Sequence, residues 1–352
     1  MSRPTLPPLQ PRFGARSWLG KDLQSQPEQW RYTLSDSDIA ELEEAVAAFD
    51  GSGRDLGTID KASFPLSGFA KRLEALADTL VKGRGFELIS GLPIERYDRQ
   101  TAATIFCGIG AHLGSARSQN AMGHILGHVR DTGASSQNTN TRLYQTSERQ
   151  TFHTDSADVV GLLCLHNAKQ GGDSMLVSAD AIFNRILETR PDLLPLLFDP
   201  IATDRRGEVP EGQKPFMDIP PFSWHQNELT VFYQRQYIDS AQRFPDAFRL
   251  TQAHIEVLDL FDACANDPEL YLEMRLEPGD MQFVYNHSFL HDRTGFTDHP
   301  EPEKRRHLYR LWLSMPGDRT LPPSFAQRYG CIAVGDRGGI ITKGTQLQAP
   351  VL

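Results

Sequence analysis

A histidine and an aspartate two residues apart, His153 and Asp155 in the run Phe152-His153-Thr154-Asp155, are the first residues here whose types and spacing could do chemistry. In an extended segment, residues two apart point to the same side. An imidazole nitrogen and a carboxylate oxygen can then meet at one point, two corners of a metal site. The tripeptide alone is a weak signal, and by itself it reads better as a surface turn. A further histidine comes from the run Asn286-His287-Ser288-Phe289-Leu290-His291-Asp292-Arg293, just past an apolar stretch. Two histidines and one carboxylate on a single face of an octahedron leave the other positions open. That suits non-haem iron(II), which must bind both a co-substrate and O2. His287 and His291 share the same strand parity, and the residue pattern barely separates them as the third ligand.

The next segment is Arg305-Arg306-His307-Leu308-Tyr309-Arg310-Leu311-Trp312-Leu313. Read as a strand, it places Arg306, Leu308, Arg310 and Trp312 on one face and Tyr309, Leu311 and Leu313 on the other, both strongly apolar. A buried guanidinium is very costly without an anionic partner. One solution is an ion pair with a protein carboxylate. The other, favoured by the position close after a third metal ligand, is a clamp for the carboxylate of a small ligand.

The elements that must position these groups change character along the chain. Residues 1–33, with five prolines, read as an irregular arm. Ser35, with Asp38 three residues on, caps a helix carrying Ile39, Leu42, Val46 and Phe49 on one face, and Gly51 to Gly53 end it. A second helix carries Leu66, Phe69, Leu73, Leu76 and Leu80, with Gly83 as its stop. Phe86–Ile89 reads as a strand, and a third helix starts near Asp98. Residues 115–150 are polar and aperiodic, the signature of a functional or disordered loop. From 151 on strands dominate: Val159–Leu165, 229–233, 272–276, Met281–Tyr285 after the turn Pro278-Gly279-Asp280, and Leu308–Leu313. One helix follows Ser178 and ends before Pro191, and another spans about 245–265. Helices first, then short strands, predict a mainly β core, closed or of two sheets, with helices outside it. The reading is a single domain, 1–352, with a core over about 86–313 and a tail over 317–352.

Composition narrows the function. The 352 residues are 39% apolar and 23% charged, with a net charge of −9, an ordinary globular balance that repels phosphate backbones. No nucleic-acid partner is expected, and no membrane one, because no apolar run approaches the ~20 residues of a span. No secretory h-region is present, so a cytoplasmic location is expected. Cys107, Cys164, Cys264 and Cys331 lack C-x-x-C spacing and read as reduced thiols packed as small apolar groups. No strand–G-x-G-x-x-G–helix unit and no G-x-S-x-G elbow is present. His124 and His128 lack the glutamate of a zinc helix and read as loop or lid residues.

Taken in order, these pieces resemble the taurine dioxygenase (TauD/TfdA) family of iron(II)/2-oxoglutarate oxygenases, from about Phe86 to Trp312. His153-Thr154-Asp155 is followed by Gly171-Gly172-Asp173-Ser174, similar to the family's G-G-D-T. Then come Pro278-Gly279-Asp280, the distal His291, and Arg305, Arg306 and Arg310 in an R-R-x-x-x-R pattern. The resemblance implies a double-stranded β-helix, or jelly roll, in an α+β, mainly β fold, with N-terminal and inserted helices packed outside. It implies iron(II) on His153, Asp155 and His291, with His291 selected over His287. It further implies 2-oxoglutarate on Arg306 with help from the Ser174 hydroxyl, Arg310 near the co-substrate or an anionic substrate group, and O2 as oxidant. The gap from His291 to Arg306 is longer than in the taurine enzyme, through Pro300–Glu303, and the segment before His153 differs, which argues against taurine itself.

The implied reaction oxidises, most simply hydroxylates, a C–H bond of a small polar or anionic metabolite, while 2-oxoglutarate becomes succinate and CO2. Arg149, Tyr144, Asn120, Arg235 and Tyr237 are candidate substrate contacts, with Gln119 and Arg142 in the same polar stretch as Asn120 and Tyr144. Two rival readings stand beside this one: a zinc-dependent hydrolase using the same ligands, and a non-catalytic small-acid-binding protein on the same fold. The partner expected is a small-molecule substrate. The sequence neither requires nor excludes a homo-oligomer.

Overall fold

A computed structural model describes residues 6–133, 143–340 and 345–351. Arg142 lies outside the described residues, as does part of the polar 115–150 segment.

The first three long helices form where their caps and apolar stripes predict. Ser35 caps Asp36–Gly51 with both arms of the Ser35/Asp38 capping box in place. Gly68–Val81 buries Phe69, Leu73, Leu76 and Leu80. The Asp98 carboxylate accepts the Thr101 amide at the start of Arg99–Leu113. Together these helices cover a seven-stranded sheet. Its strands run in the order Arg31–Thr33, Phe86–Ser90, Met281–Tyr285, Val159–His166, His307–Ser314 and Ser115–Ala116, with Leu126–Val129 also paired to His307–Ser314. Every residue of His307–Ser314 is buried, as its two apolar faces predict.

Facing it is a four-stranded antiparallel sheet in the order Tyr271–Met274, Ser174–Ser178, Phe289–Arg293 and Gln150–His153. Helices Ala179–Thr189, capped by Ser178, and Gln252–Ala265 bury their apolar stripes against its outer side. The result is a two-sheet jelly-roll core with helices on both outsides; the sheets face each other without closing into a barrel.

Four expectations need correction. The arm before residue 33 is not wholly irregular: Gly20–Gln24 is a short helix and Arg31–Thr33 pairs parallel to Phe86–Ser90. Gly20 packs so closely on the Tyr271 carbonyl that an added Cβ would lie 1.8 Å from its oxygen, which pins the arm to the smaller sheet. The polar 115–150 segment contributes two strands to the larger sheet, because Leu126 and Val129 find apolar neighbours there that local sequence does not reveal. The helix expected from about 245 begins at Gln252, where Thr251 and His254 form a capping box. Cys107, Cys164 and Cys264 are buried, but Cys331 is exposed. Among the described residues no helix is long and apolar enough to cross a membrane.

Candidate metal centre and active site

Strand register brings the two histidines together. His153 and His291 lie directly opposite one another on adjacent antiparallel strands, and their rings sit 4.2 Å apart between centroids. Asp155 follows just past the end of its strand, where Asn286 fixes the turn: the Asn286 Oδ1 accepts the Asp155 amide at 2.8 Å and its Nδ2 donates to the Asp155 and Ala157 carbonyls. His153 Nε2 lies 3.9 Å from Asp155 Oδ1, and His291 Nε2 lies 3.7 Å from Asp155 Oδ2. One ligand atom from each residue falls within 4.8 Å of the others.

The surroundings prepare these groups as ligands. His153 Nδ1 donates to the Thr151 carbonyl at 2.8 Å, which fixes the tautomer and leaves Nε2 the acceptor, here taking a hydrogen bond from Gln150 Nε2 at 2.9 Å. Burial, reinforced by His291, pushes the His153 imidazole down to about 3, so it is neutral, as a metal ligand must be. Burial opposes ionisation of Asp155, but Arg310 and then His291 and His153 outweigh it and hold the carboxyl well below the usual carboxylate range. Asp155 Oδ2 accepts from Arg310 Nη1 at 3.1 Å and from Trp312 Nε1 at 2.8 Å. Arg310 and Trp312 share one face of their strand, which is why both reach the same oxygen.

His287 is placed elsewhere. Its Nε2 bonds Asp158 Oδ1 at 2.7 Å in a fully buried network in which Arg337 bridges Asp158 and Asp318. Asp158, His287 and Asp318 could hold an ion by geometry alone. The Arg337 guanidinium already supplies the compensating cation. The network instead pins the C-terminal tail: the Gly339 amide donates to the Ser156 carbonyl, and Arg328 donates to the Ser156 hydroxyl.

An inner cavity between the two sheets adjoins the triad, lined by His153 and His291, by Ser174, Arg293 and Arg306, and by apolar side chains such as Leu162, Leu276 and Leu308. Arg306 is 5% exposed. Its Nη2 reaches the Gly172 carbonyl at 3.4 Å, while its buried Nη1 has no partner. Gly172 sits at φ +78°, and an added Cβ would lie 2.8 Å from Arg306 Nε, so a glycine is needed for the arginine to seat. Burial pulls Arg306 down to about 10, and burial followed by Arg306 does the same to Arg293. Both remain cationic at neutral pH. Ser174 lies directly opposite Arg293 across the strands, and its hydroxyl donates to Gln282 Oε1 at 3.1 Å.

A second, outer cavity adjoins His153, Asp155 and Arg310 and is lined as well by Tyr233, Gln234, Tyr237, Arg205 and Arg328. Tyr144 lines both cavities, its ring 4.7 Å from the Arg310 guanidinium. Of the expected substrate contacts, Tyr144 and Tyr237 are therefore at the site. Three are not among the residues lining either cavity. Asn120 Oδ1 caps a turn through the Met122 and His124 amides, Arg149 pairs with buried Asp292 at 2.7 Å, and Arg235 is held by Asp239, Asp259 and Asp262. Arg310 touches both cavities but spends its hydrogen bonds on Asp155 and on Gln119 Oε1. Gln150, in the segment before His153 where substrate contacts were expected, lines both cavities, whereas Arg293, Arg205 and Arg328 were not foreseen. Arg293 shares strand parity with His291, a signal that could have found it; Arg205 and Arg328 lie in connections with no periodic signal.

Comparison with known proteins agrees with this geometry. The family model described as taurine catabolism dioxygenase TauD, TfdA family matches residues 52–312. FR-33289 synthase of Streptomyces rubellomurinus is 33% identical over 307 residues, covering 86% of this chain and 90% of the synthase. The taurine hydroxylase-like protein SAT17 of Stachybotrys chartarum is 29% identical over 84% of this chain and 77% of its own length. An asparagine oxygenase structure, in complex with Fe(II), 3-hydroxyasparagine and succinate, shares the fold at TM-score 0.61 and 17% identity, covering 81% of this chain and 93% of that one. On the family match and the identity to the synthase, the chain belongs to the TauD/TfdA family of iron(II)- and 2-oxoglutarate-dependent oxygenases.

Proposed function

We propose that His153, Asp155 and His291 hold iron(II), that Arg306 takes the distal carboxylate of 2-oxoglutarate with Ser174 beside it, and that the protein hydroxylates a C–H bond of a small polar or anionic metabolite. The observation that carries this reading is the pairing of a convergent His/Asp/His face with a buried guanidinium whose Nη1 lacks a partner in the adjoining cavity. An orphaned buried donor is expensive, and an arriving carboxylate satisfies it. The two-histidine, one-carboxylate set fits iron(II) with open positions.

When bound, iron(II) with 2-oxoglutarate and O2 supplies an oxidant strong enough for an unactivated C–H bond, the 2-oxoglutarate leaving as succinate and CO2. The chain's own residues orient and exclude. Thr151 holds His153 in the ligating tautomer, and Arg310 and Trp312 fix Asp155 through Oδ2. The apolar wall of Leu162, Leu276 and Leu308 keeps the inner cavity dry, which strengthens the pairing of Arg306 with an anion. Tyr144 and Tyr237 shape the outer cavity where the substrate would lie.

The test is succinate formation from 2-oxoglutarate with a panel of small polar metabolites. Metal-stripped protein should be inactive, regain turnover with Fe(II) and not with Zn(II), and lose it in His153→Ala. Equal turnover with Zn(II), or succinate formed as fast by the variant, would overturn the proposal.

A further inference from the structure

The connection between the short paired strands Ala202–Asp204 and Phe216–Asp218 carries Arg205, which lines the outer cavity. Its side chain is only 3% exposed. Nε donates to the Lys214 carbonyl at 3.0 Å and Nη2 to the Gln327 carbonyl. Both partners are neutral, and no carboxylate pairs with Arg205 among the described residues. The neighbouring Asp204 is committed elsewhere. It accepts from the Arg206 amide and the Ser240 hydroxyl, and it pairs with Arg243 at 2.8 Å.

A second guanidinium reaches the same place from the tail. Arg328, on the short helix Ala326–Tyr329, donates to the Ser156 hydroxyl and stands 3.8 Å from Glu208. Arg205, Arg328 and Glu208 line this cavity together, while its other carboxylates are paired, Asp204 with Arg243 and Asp155 with Arg310. Burial, and after it the repulsion of Arg328, bring Arg205 down to about 10, so it stays charged at neutral pH with an unfavourable neighbour. A buried cation with only carbonyl partners, facing a cavity and another cation, is costly unless an anion arrives. Met217 and Phe232 supply apolar wall along the same cavity, suited to a short carbon chain.

We propose that Arg205 and Arg328 form the subsite for an anionic oxygen group of the substrate, a phosphonate, phosphate, sulfonate or carboxylate, in the outer cavity. The molecule's carbon chain then lies along Met217 and Phe232 with its reacting C–H bond toward His153 and Asp155. This assignment rests on reading the triad as the oxidising centre. It makes substrate selection a property of two connecting segments, while Arg306 serves the co-substrate. The two arginine sites are separate, one in each cavity, so two different anions bind without competing.

The experiment uses the full chain, loaded anaerobically with Fe(II) and 2-oxoglutarate. Methylphosphonate, methanesulfonate, acetate and inorganic phosphate are titrated into it by calorimetry. At least one of these probes should bind, about tenfold or more weaker in Arg205→Gln and in Arg328→Gln. Arg205→Lys should retain part of the affinity. 2-Oxoglutarate should bind both glutamine variants as it binds wild type, which also reports that they are folded. The ranking of the four probes identifies the anionic group. The subsite is overturned if no probe binds, if binding is equal in wild type and Arg205→Gln, or if added 2-oxoglutarate displaces the probe. If wild-type protein fails to bind 2-oxoglutarate but still binds a probe, the oxygenase reading falls and the assignment to a substrate falls with it.

Discussion

The inner and outer cavities meet at the metal triad but are made in different ways. The inner cavity is walled by regular strands of the two sheets. His291 and Arg293 share a strand, Ser174 faces Arg293 by register, and Leu162 and Arg310 are paired across neighbouring strands. A one-residue slip would turn these side chains to the wrong face, so burying the core also places them. The outer cavity is finished by the connection carrying Arg205 and by the tail carrying Arg328. Neither segment is constrained by a sheet ladder, and each can vary without moving the triad. The residues proposed for the common chemistry thus sit on strands or at their ends, and those proposed for selectivity sit on connections.

That division can be broken from several directions. The largest effect is expected from Arg337→Ala. It leaves Asp158 and Asp318 buried without their shared cation, and loss of one partner of a buried pair costs about 3–5 kcal/mol. Urea unfolding should show that drop, with anion binding in the outer cavity lost while 2-oxoglutarate still binds at low denaturant. An unchanged midpoint would mean that the tail is not held by this network. Arg306→Gln comes next. Removing a charge-assisted clamp should weaken 2-oxoglutarate by about 10–100-fold, read by titration under anaerobic conditions, and leave outer-cavity anion binding alone. An equal loss in both cavities would show them to be one site. Trp312→Phe removes one of two donors to Asp155 Oδ2. Iron affinity should fall about tenfold, the lower end for groups that orient a ligand, measured by competition with a chelator. The smallest effect is expected for Arg235→Ala: its three carboxylate partners lie outside both cavities, so the KM for 2-oxoglutarate should change by less than about twofold in steady-state assays.

Legibility in the sequence follows the same boundary. The capped helices, the apolar strands and the order of His153, Asp155, His291 and Arg306 could be read because period, caps and turns are local signals. Choosing between His287 and His291 could not be settled by parity, because both point inward. What separates them is Asp158, whose carboxylate meets His287 only after the strands have paired. The strand Leu126–Val129 was hidden for a related reason: its apolar partners are on His307–Ser314, far along the chain. Arg310 was expected near a ligand anion, and the structure gives it another partner, the carboxylate of Asp155, one of the three proposed metal ligands. Arg205 and Arg328 carried no periodic or motif signal at all, since their meeting depends on how a hairpin and a tail fold over one opening.

The central claim is that His153, Asp155 and His291 form an iron(II) centre beside an Arg306-bound 2-oxoglutarate. Its most direct test is spectroscopic. Fe(II) and then 2-oxoglutarate are added to the anaerobic protein, and the visible spectrum is followed for the weak metal-to-ligand charge-transfer band of a chelated 2-oxo acid, with His291→Ala as control. A band in the wild type that is absent from the variant is the predicted result. Binding of both Fe(II) and 2-oxoglutarate by the wild type with no such band, or the same band in His291→Ala, would contradict it.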